Sequence, residues 1–310
     1  KKNILVTGGS GFIGSAIVKY LVRNKHNVIV LDNNSRGRSR RIEEVRNEIK
    51  FIKGDIRNKT KLLSIHNKID TVIHLAYVNG TKHFYKKPYE ILDIAVNGLL
   101  NILEFCRHKK VKNFFLASSS EVYQNPLKFP TNEMEMLKIP DIHNPRYSYG
   151  GGKIFSELYG LHFAKKYLKK FIIFRPHNVY GKDMGNDHVI PEFINRFKKI
   201  GKRKSFLIHG TGNEIRSVIH IDDFISGFDK IFRKGKNTEI YNIGTSEKVK
   251  ISYLVNLIAK IYKKKIKIIK SKLLKGSPSK RCPDIKKIKK LGFNQEISLR
   301  HGIKKIILND

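Results

Sequence analysis

Short runs of Val, Ile, Leu and Phe alternate with longer stretches whose apolar residues recur every three or four positions. The runs fall at residues 4–7, 28–31, 50–53, 71–75, 113–117 and 171–174. Continuous apolar runs of this length suit strands buried on both faces of a parallel sheet. Between them the period predicts helices over 13–24, 60–68, 90–108 and 148–167. Strand and helix alternating several times predict a doubly wound α/β parallel sheet.

Beyond residue 174 the pattern breaks into loops with Pro176, Pro191 and many glycines, followed by a helix over 191–199 and a strand over 206–209. Helical spacing returns over 218–232 and a strand over 240–243, so the sheet is expected to be completed late. Residues 1–175 plus about 213–243 then form one domain, and about 176–212 plus 244–310 a smaller, discontinuous α/β lobe. The most basic run, 260–280, alternates Lys with Ile and reads as a half-exposed strand.

The first predicted strand runs into Gly8-Gly9-Ser10-Gly11-Phe12-Ile13-Gly14 and then a helix. Glycines at 8, 11 and 14 permit positive backbone angles and let main chain approach a pyrophosphate at a helix N-terminus, where free amides and the dipole attract anions. A tight strand-to-helix turn alone needs no ligand. Asp32, however, follows the second strand at the separation expected of an acid that binds ribose, which makes the pattern that of a Rossmann dinucleotide site. A carboxylate there repels a 2′-phosphate and favours NAD, while Arg36 and Arg38 leave NADP open. Asp55, after the third strand, reads either as an adenine contact or as a turn aspartate capping the next helix.

Tyr149 and Lys153 stand four apart on a predicted helix and so share a face. Tyrosine titrates near 10, so a tyrosine base near neutrality needs positive charge beside it, which the lysine and an oxidised nicotinamide would supply. Gly150, Gly151 and Gly152 weaken a helix by roughly 2 to 3 kcal/mol relative to alanine. They mark either a close approach of backbone or cofactor, or a helix that begins only at Gly152. The strand end 117–123, ASSSEVY, lies where ligands of open α/β sheets bind, and its hydroxyls can hold a sugar hydroxyl while Tyr149 takes the proton.

Composition changes this picture little. The 310 residues carry 63 Lys plus Arg against 26 Asp plus Glu, a formal +37, which raises the question of a polyanion partner. The excess is mainly lysine, spread over most of the chain among Ile and Asn as an AT-rich genome would impose on solvent-facing positions, and no nucleic-acid reader motif accompanies it. No specific nucleic acid is expected. Cys106 and Cys282 lie far apart without metal or CxxC spacing, so neither a disulfide framework nor a metal site is implied. Lys1 and Lys2 run directly into ILVTG with no apolar signal region, and no stretch of eighteen apolar residues occurs. A cytoplasmic protein, neither secreted nor membrane-spanning, is the expectation.

GGSGFIGS, Asp32, HLAY at 74–77, VNG at 96–98, SSSEVY, Tyr149 with Lys153, RPHNVYG at 175–181 and RSVIHIDD at 216–223 together resemble the extended short-chain dehydrogenases that act as nucleotide-sugar epimerases, dehydratases and decarboxylases. The resemblance covers nearly the whole chain. It implies that tightly held NAD takes hydride from the sugar and returns it, with Tyr149 as general base, Lys153 on the nicotinamide ribose and Ser119 positioning the hydroxyl to be oxidised. Ser10, Phe12, Ile13, Asn33, Asp55, Ile56, Leu75, Ala76, Tyr77, Asn97 and Pro176 join Gly8, Gly11, Gly14 and Asp32 as cofactor contacts. Ser120, Asn178, His188, Val189, Arg216, Arg281 and Asp284 are expected along the nucleotide-sugar. His177, Tyr123 and Tyr147 are read as packing.

Members of such a family begin by oxidising carbon 4 and differ in the fate of the keto-sugar. Simple 4-epimerases place a small residue at the position of Glu121, whereas dehydratases and decarboxylases place an acid, which can abstract a proton beside the ketone. Ser120 stands where many 4,6-dehydratases carry aspartate, which points the other way, and Glu121 can also serve only to bond backbone. A 4-epimerase is the first expectation, with a 4,6-dehydratase or decarboxylase using Glu121 as the alternative. A non-catalytic NAD-binding regulator or a nucleic-acid-binding relative stands more remotely. A homodimer formed by the helices around 91–105 and 148–167 is also implied.

Overall fold

Six apolar runs become strands: β1 (Asn3–Thr7), β2 (Asn27–Asp32), β3 (Ile49–Lys53), β4 (Thr71–His74), β5 (Asn113–Ala117) and β6 (Lys170–Pro176). The strand Ile240–Ile243 adds a seventh beside β6, giving the order Ile240–Ile243, β6, β5, β4, β1, β2, β3, every pairing parallel. The computed structural model describes residues 1–308 apart from 186–187, 273–275 and 277. The central strands are apolar because both faces are covered: Ile4 and Val6 join one core with Phe174, Phe224 and Phe228, while Leu5 joins the other with Val72, Phe114 and Phe171. Chain order reverses at β1, whose neighbours are β2 and β4. That switch point opens a crevice at the carboxyl ends of the strands.

Several elements depart from the pattern. The helix expected over 60–68 is only Lys59–Leu63, started by the Asn58 side chain accepting from the Lys61 amide. The stretch 90–108 is helical throughout but begins at Pro88 and contains a π-helical turn at Ile94–Gly98. Helical spacing from 218 hides a strand, Ile219–His220, which pairs in parallel with Val179–Tyr180 before the helix Ile221–Lys234 begins. Of the basic run 260–280, only Lys267–Ser271 and Lys280 are strand, residues 260–261 end the helix Ile251–Ile261, and 273–275 and 277 lie outside the described residues. Lys267–Ser271 pairs in parallel with Ser205–His209, and its Ile268 packs inward while Lys267 and Lys270 are exposed.

A third apolar core lies under these late elements. Phe193, Ile194 and Phe197 of the helix Val189–Lys198 meet Phe206 and Ile208, with Leu254, Val255 and Ile258 on a further helix and Ile303 on Leu299–Leu308. Ile285, Ile288 and Phe293 pack instead into the core of the large sheet. Among the described residues no helix is long and apolar enough to cross a membrane.

Candidate active site

One cavity of about 510 Å³ runs from the glycine turn after β1 to the carboxyl ends of β4 and β5. The turn is shaped for close approach. Gly8 has φ +75°, and a Cβ there would lie 2.7 Å from the Ala76 amide nitrogen; a Cβ on Gly14 would lie 2.0 Å from the Gly8 carbonyl oxygen. The next helix, Phe12–Arg23, starts on Gly11, so no side chain caps it, and Phe12, Ile13 and Gly14 face the cavity. First-turn amides without a side-chain cap suit an anionic pyrophosphate. Asp32 closes the far side, its two oxygens accepting from the amides of Ser10 (2.9 Å) and Asn34 (2.8 Å). Those bonds aim the carboxylate and leave lone pairs for ribose hydroxyls. Arg36, which with Arg38 left NADP open, bonds the His83 ring at 2.6 Å. The residues present fit NAD.

Asn33, Asp55, Ile56, Leu75, Ala76, Tyr77 and Pro176 also line the cavity. Asp55 does not cap the next helix, which Asn58 does. Its oxygens accept from Asn33 Nδ2 and from the Nε and Nη2 of Arg57, which bring its carboxyl down to about 2. Two of the expected contacts fall elsewhere. Asn97 is exposed on the π-helical turn, donating to Asp93, because that turn points Ala95 and Gly98 inward. Ser10 is fully buried behind the turn, its hydroxyl donating to Asn34.

Tyr149 and Lys153 lie on the helix Tyr147–Tyr167, which runs straight through all three glycines. Protein atoms pack closely against the glycines. A Cβ on Gly150 would meet the Glu121 carbonyl oxygen at 3.0 Å, and one on Gly152 the Tyr77 hydroxyl at 2.1 Å. Lys153 Nζ donates to the Ala117 carbonyl (2.8 Å) and sits 3.9 Å from the centre of the Tyr77 ring. Burial lowers Lys153 to about 7, with Glu157 working against it. Tyr149 goes the other way. Burial raises its phenol above 10, a hydrogen bond with Ser119 pulls it partly back, and Lys153 is not among the charges that lower it. The lysine alone therefore does not make the tyrosine a base. Phe84 stacks on the Tyr149 ring at 4.8 Å and Tyr77 meets it edge-on at 5.1 Å, an apolar cage that explains the rise.

At the end of β5, Ser119 starts a short 3₁₀ turn, its hydroxyl accepting from the Glu121 amide. Glu121 does not spend its carboxylate on backbone. Its Oε1 accepts from Arg281 Nη1 at 2.7 Å, and its Oε2 lies 3.8 Å from Arg146. Burial would raise its carboxyl, but Arg281, Arg146 and Arg216 together hold it below the usual range. The arginines in turn keep spare donors: Arg146 Nε and Arg281 Nε and Nη2 are buried without a partner among the described residues. Burial and Arg281 bring Arg216 down to about 10.

Ser119, Ser120, Glu121, Asn178, His188 and Arg281 line the cavity, while Val189, Arg216 and Asp284 do not. Val189 is the first residue of its helix, and Arg216 Nη1 donates to the Ile215 carbonyl at 2.9 Å. Asp284 is occupied locally, accepting from the Lys286 amide at 2.8 Å. Arg146, Tyr77 as the lysine's platform, and Phe84 were not anticipated. Arg146, three positions before Tyr149, is 6% exposed in the fold, a burial that its place in the sequence does not announce.

A family model described as "NAD dependent epimerase/dehydratase family" matches residues 4–244. A UDP-glucose 4-epimerase of Thermotoga maritima, solved with UDP-glucose, superposes with a TM-score of 0.89 at 30% identity, covering 99% of this chain and 97% of its own. A dTDP-D-glucose 4,6-dehydratase of Dictyostelium discoideum is 34% identical over 268 residues, 79% of this chain and 58% of its own. A UDP-N-acetyl-alpha-D-glucosaminuronate decarboxylase of Bacillus cytotoxicus is 31% identical over 317 residues, 99% of this chain and 97% of its own. With a family model spanning every strand of the large sheet, and relatives of three reactions aligned over most of its length, the chain belongs to the NAD-dependent epimerase/dehydratase family.

Proposed function

We propose that this chain is a nucleotide-sugar 4-epimerase, acting through a 4-keto intermediate. The observation that carries the choice of reaction is the ion pair between Glu121 and Arg281. A carboxylate that accepts from one guanidinium and faces two more is a weak base, poorly suited to removing a proton beside a ketone. The likeness to a 4-epimerase solved with UDP-glucose supports the same reading.

Bound NAD supplies the hydride acceptor and donor. Ser119 holds the carbon-4 hydroxyl, and Tyr149 takes its proton as the ketone forms and gives it back when the other epimer is made. Burial favours the protonated phenol of Tyr149, so an oxidised nicotinamide held beside it would supply positive charge that, with a protonated Lys153, would favour loss of the phenol's proton. Phe84 and Tyr77 keep water from the ring. The unpartnered donors of Arg281 and Arg146 suit a diphosphate, with Asn178 and His188 beside it on the cavity wall. On this reading residues 1–175 and 213–243 hold the cofactor, 176–212 and 244–310 hold the nucleotide-sugar, and the enzyme is a cytoplasmic homodimer.

One observation favours a second reading. Glu121 lines the cavity itself, where a dehydratase or decarboxylase would need an acid. Incubation with UDP-, GDP-, dTDP- and CDP-sugars, then NMR of the products, separates the outcomes. An epimer is expected; a keto-deoxy sugar or a pentose overturns the proposal in favour of a lyase.

A further inference from the structure

Behind the strand end that carries Ser119, a buried carboxylate meets a buried guanidinium. Glu157 lies four residues beyond Lys153, on the same helix face as Tyr149 and Lys153. It is 3% exposed and Arg175, on β6, is 1% exposed. Glu157 Oε1 accepts from the Ser118 hydroxyl and from Arg175 Nε (2.8 Å), and its Oε2 accepts from Arg175 Nη2. Arg175 Nη1 donates in addition to the Tyr123 hydroxyl (2.7 Å) and the Glu133 carbonyl (3.0 Å). One residue earlier, at the last position of β5, the Ala117 carbonyl accepts from Lys153. Two consecutive residues, Ala117 and Ser118, are thus fastened to two consecutive turns of the helix, and Ser119 is the next residue along.

Removing two charges from water costs several kcal/mol per ion, so a buried pair seldom adds stability over apolar residues of the same volume. This one sits where it controls geometry. We propose that Glu157, oriented by Arg175, is a positioning residue of the active site, setting the Ser119 hydroxyl against the helix face that presents Tyr149 and Lys153. The proposal rests on the reading of Tyr149 and Lys153 as the reacting pair.

Glu157 also acts on Lys153 through its charge. The groups around that ammonium are the Tyr149 and Tyr77 rings, His74 on β4, kept neutral by burial at about 3, and Glu157 with Arg175 beyond it. Glu157 is the carboxylate that opposes the burial of Lys153. A role confined to holding the fold together would leave kcat unchanged in a folded protein that had lost only the Ser118 hydroxyl.

The test is a titration of ¹³C-lysine-labelled protein by NMR, with Lys153 assigned from a Lys153→Met spectrum. In Glu157→Gln the Lys153 midpoint should fall by about half a pH unit or more. That variant leaves Arg175 buried without a carboxylate, so Glu157→Gln/Arg175→Gln repeats the measurement with no lone charge. Ser118→Ala leaves the pair intact. It should lower kcat by about tenfold with KM within about twofold, and leave the Lys153 midpoint unmoved. An unchanged midpoint in the Glu157 variants, or an unchanged kcat in Ser118→Ala, overturns the proposal. Full turnover by Tyr149→Phe would instead defeat the underlying reading, a distinguishable failure because the titration needs no substrate.

Discussion

Glu121 and Arg281 stand 160 residues apart in sequence and 2.7 Å apart in the fold, carboxylate oxygen to guanidinium nitrogen. The pair joins the turn after β5 to the strand Lys280–Arg281, and both residues line the cavity. It also separates the two readings of the chemistry. If Glu121 serves to hold Arg281 for a diphosphate, Glu121→Gln should raise KM about five- to tenfold and leave kcat within about threefold. If Glu121 is a base, kcat should fall by roughly a hundredfold or more. Steady-state kinetics on the panel substrate decides, and we expect the KM effect.

Tyr149→Phe removes one oxygen from a caged ring, keeping its stacking on Phe84. Turnover should drop by about 10² to 10⁴-fold, while NAD affinity measured by calorimetry stays within about threefold. Activity near that of the parent enzyme would sink the assignment of Tyr149 as the group that exchanges the proton.

Gly14→Ala places a methyl 2.0 Å from the Gly8 carbonyl oxygen, which backbone cannot yield without reshaping the turn. Since Gly11, Phe12 and Ile13 frame the same wall, NAD affinity should fall by more than about tenfold. Circular dichroism should still show the folded sheet, because the clash is confined to the turn.

How far residues spoke for themselves depended on the range of the interaction. Strands β1, β2, β4, β5 and β6 were legible because burial on both faces leaves unbroken apolar runs, the edge strand β3 only through Phe51 and Ile52 between lysines, and Tyr149 with Lys153 because a helix brings positions four apart together. The Glu121 pair was not, since no local period links residues 160 apart. Asn97 was misplaced for a subtler reason: a π-helical turn shifts the helical phase, so the face that points inward there belongs to Ala95 and Gly98. The strand Ile219–His220 was hidden by its two-residue length, and only its pairing with Val179–Tyr180 distinguishes it from the helix after it.

Two helices leave large apolar side chains in water. Tyr89 and Leu92 on Pro88–Asp93 are 82% and 42% exposed, and Leu158 and Tyr159 on Tyr147–Tyr167 are 60% and 41%. Apolar groups gathered on adjoining helices suit an interface with a second copy. Light scattering at micromolar concentration should give the mass of a dimer, and Leu158→Lys should give that of a monomer with unchanged circular dichroism. A monomeric parent protein would end the homodimer proposal.

Lys153 should make stability depend on pH in the direction opposite to that of a lysine whose pKa is raised by a partner. Burial lowers it to about 7, against 10.5 in the unfolded chain. Between those values the unfolded chain binds the extra proton, so this residue's contribution to stability rises with pH; the cost of burying the ammonium is fully present below about 7 and is relieved towards 10.5. Lys153→Met removes the charge while keeping an unbranched chain under the Tyr77 ring, at the loss of one bond to the Ala117 carbonyl. Compared at pH 6 and pH 9 by thermal unfolding without cofactor, the variant should gain relative to the parent at pH 6 and lose that advantage at pH 9. A difference in Tm that is the same at both pH values would mean that Lys153 titrates as an ordinary lysine, and that its ammonium is held by more than Glu157.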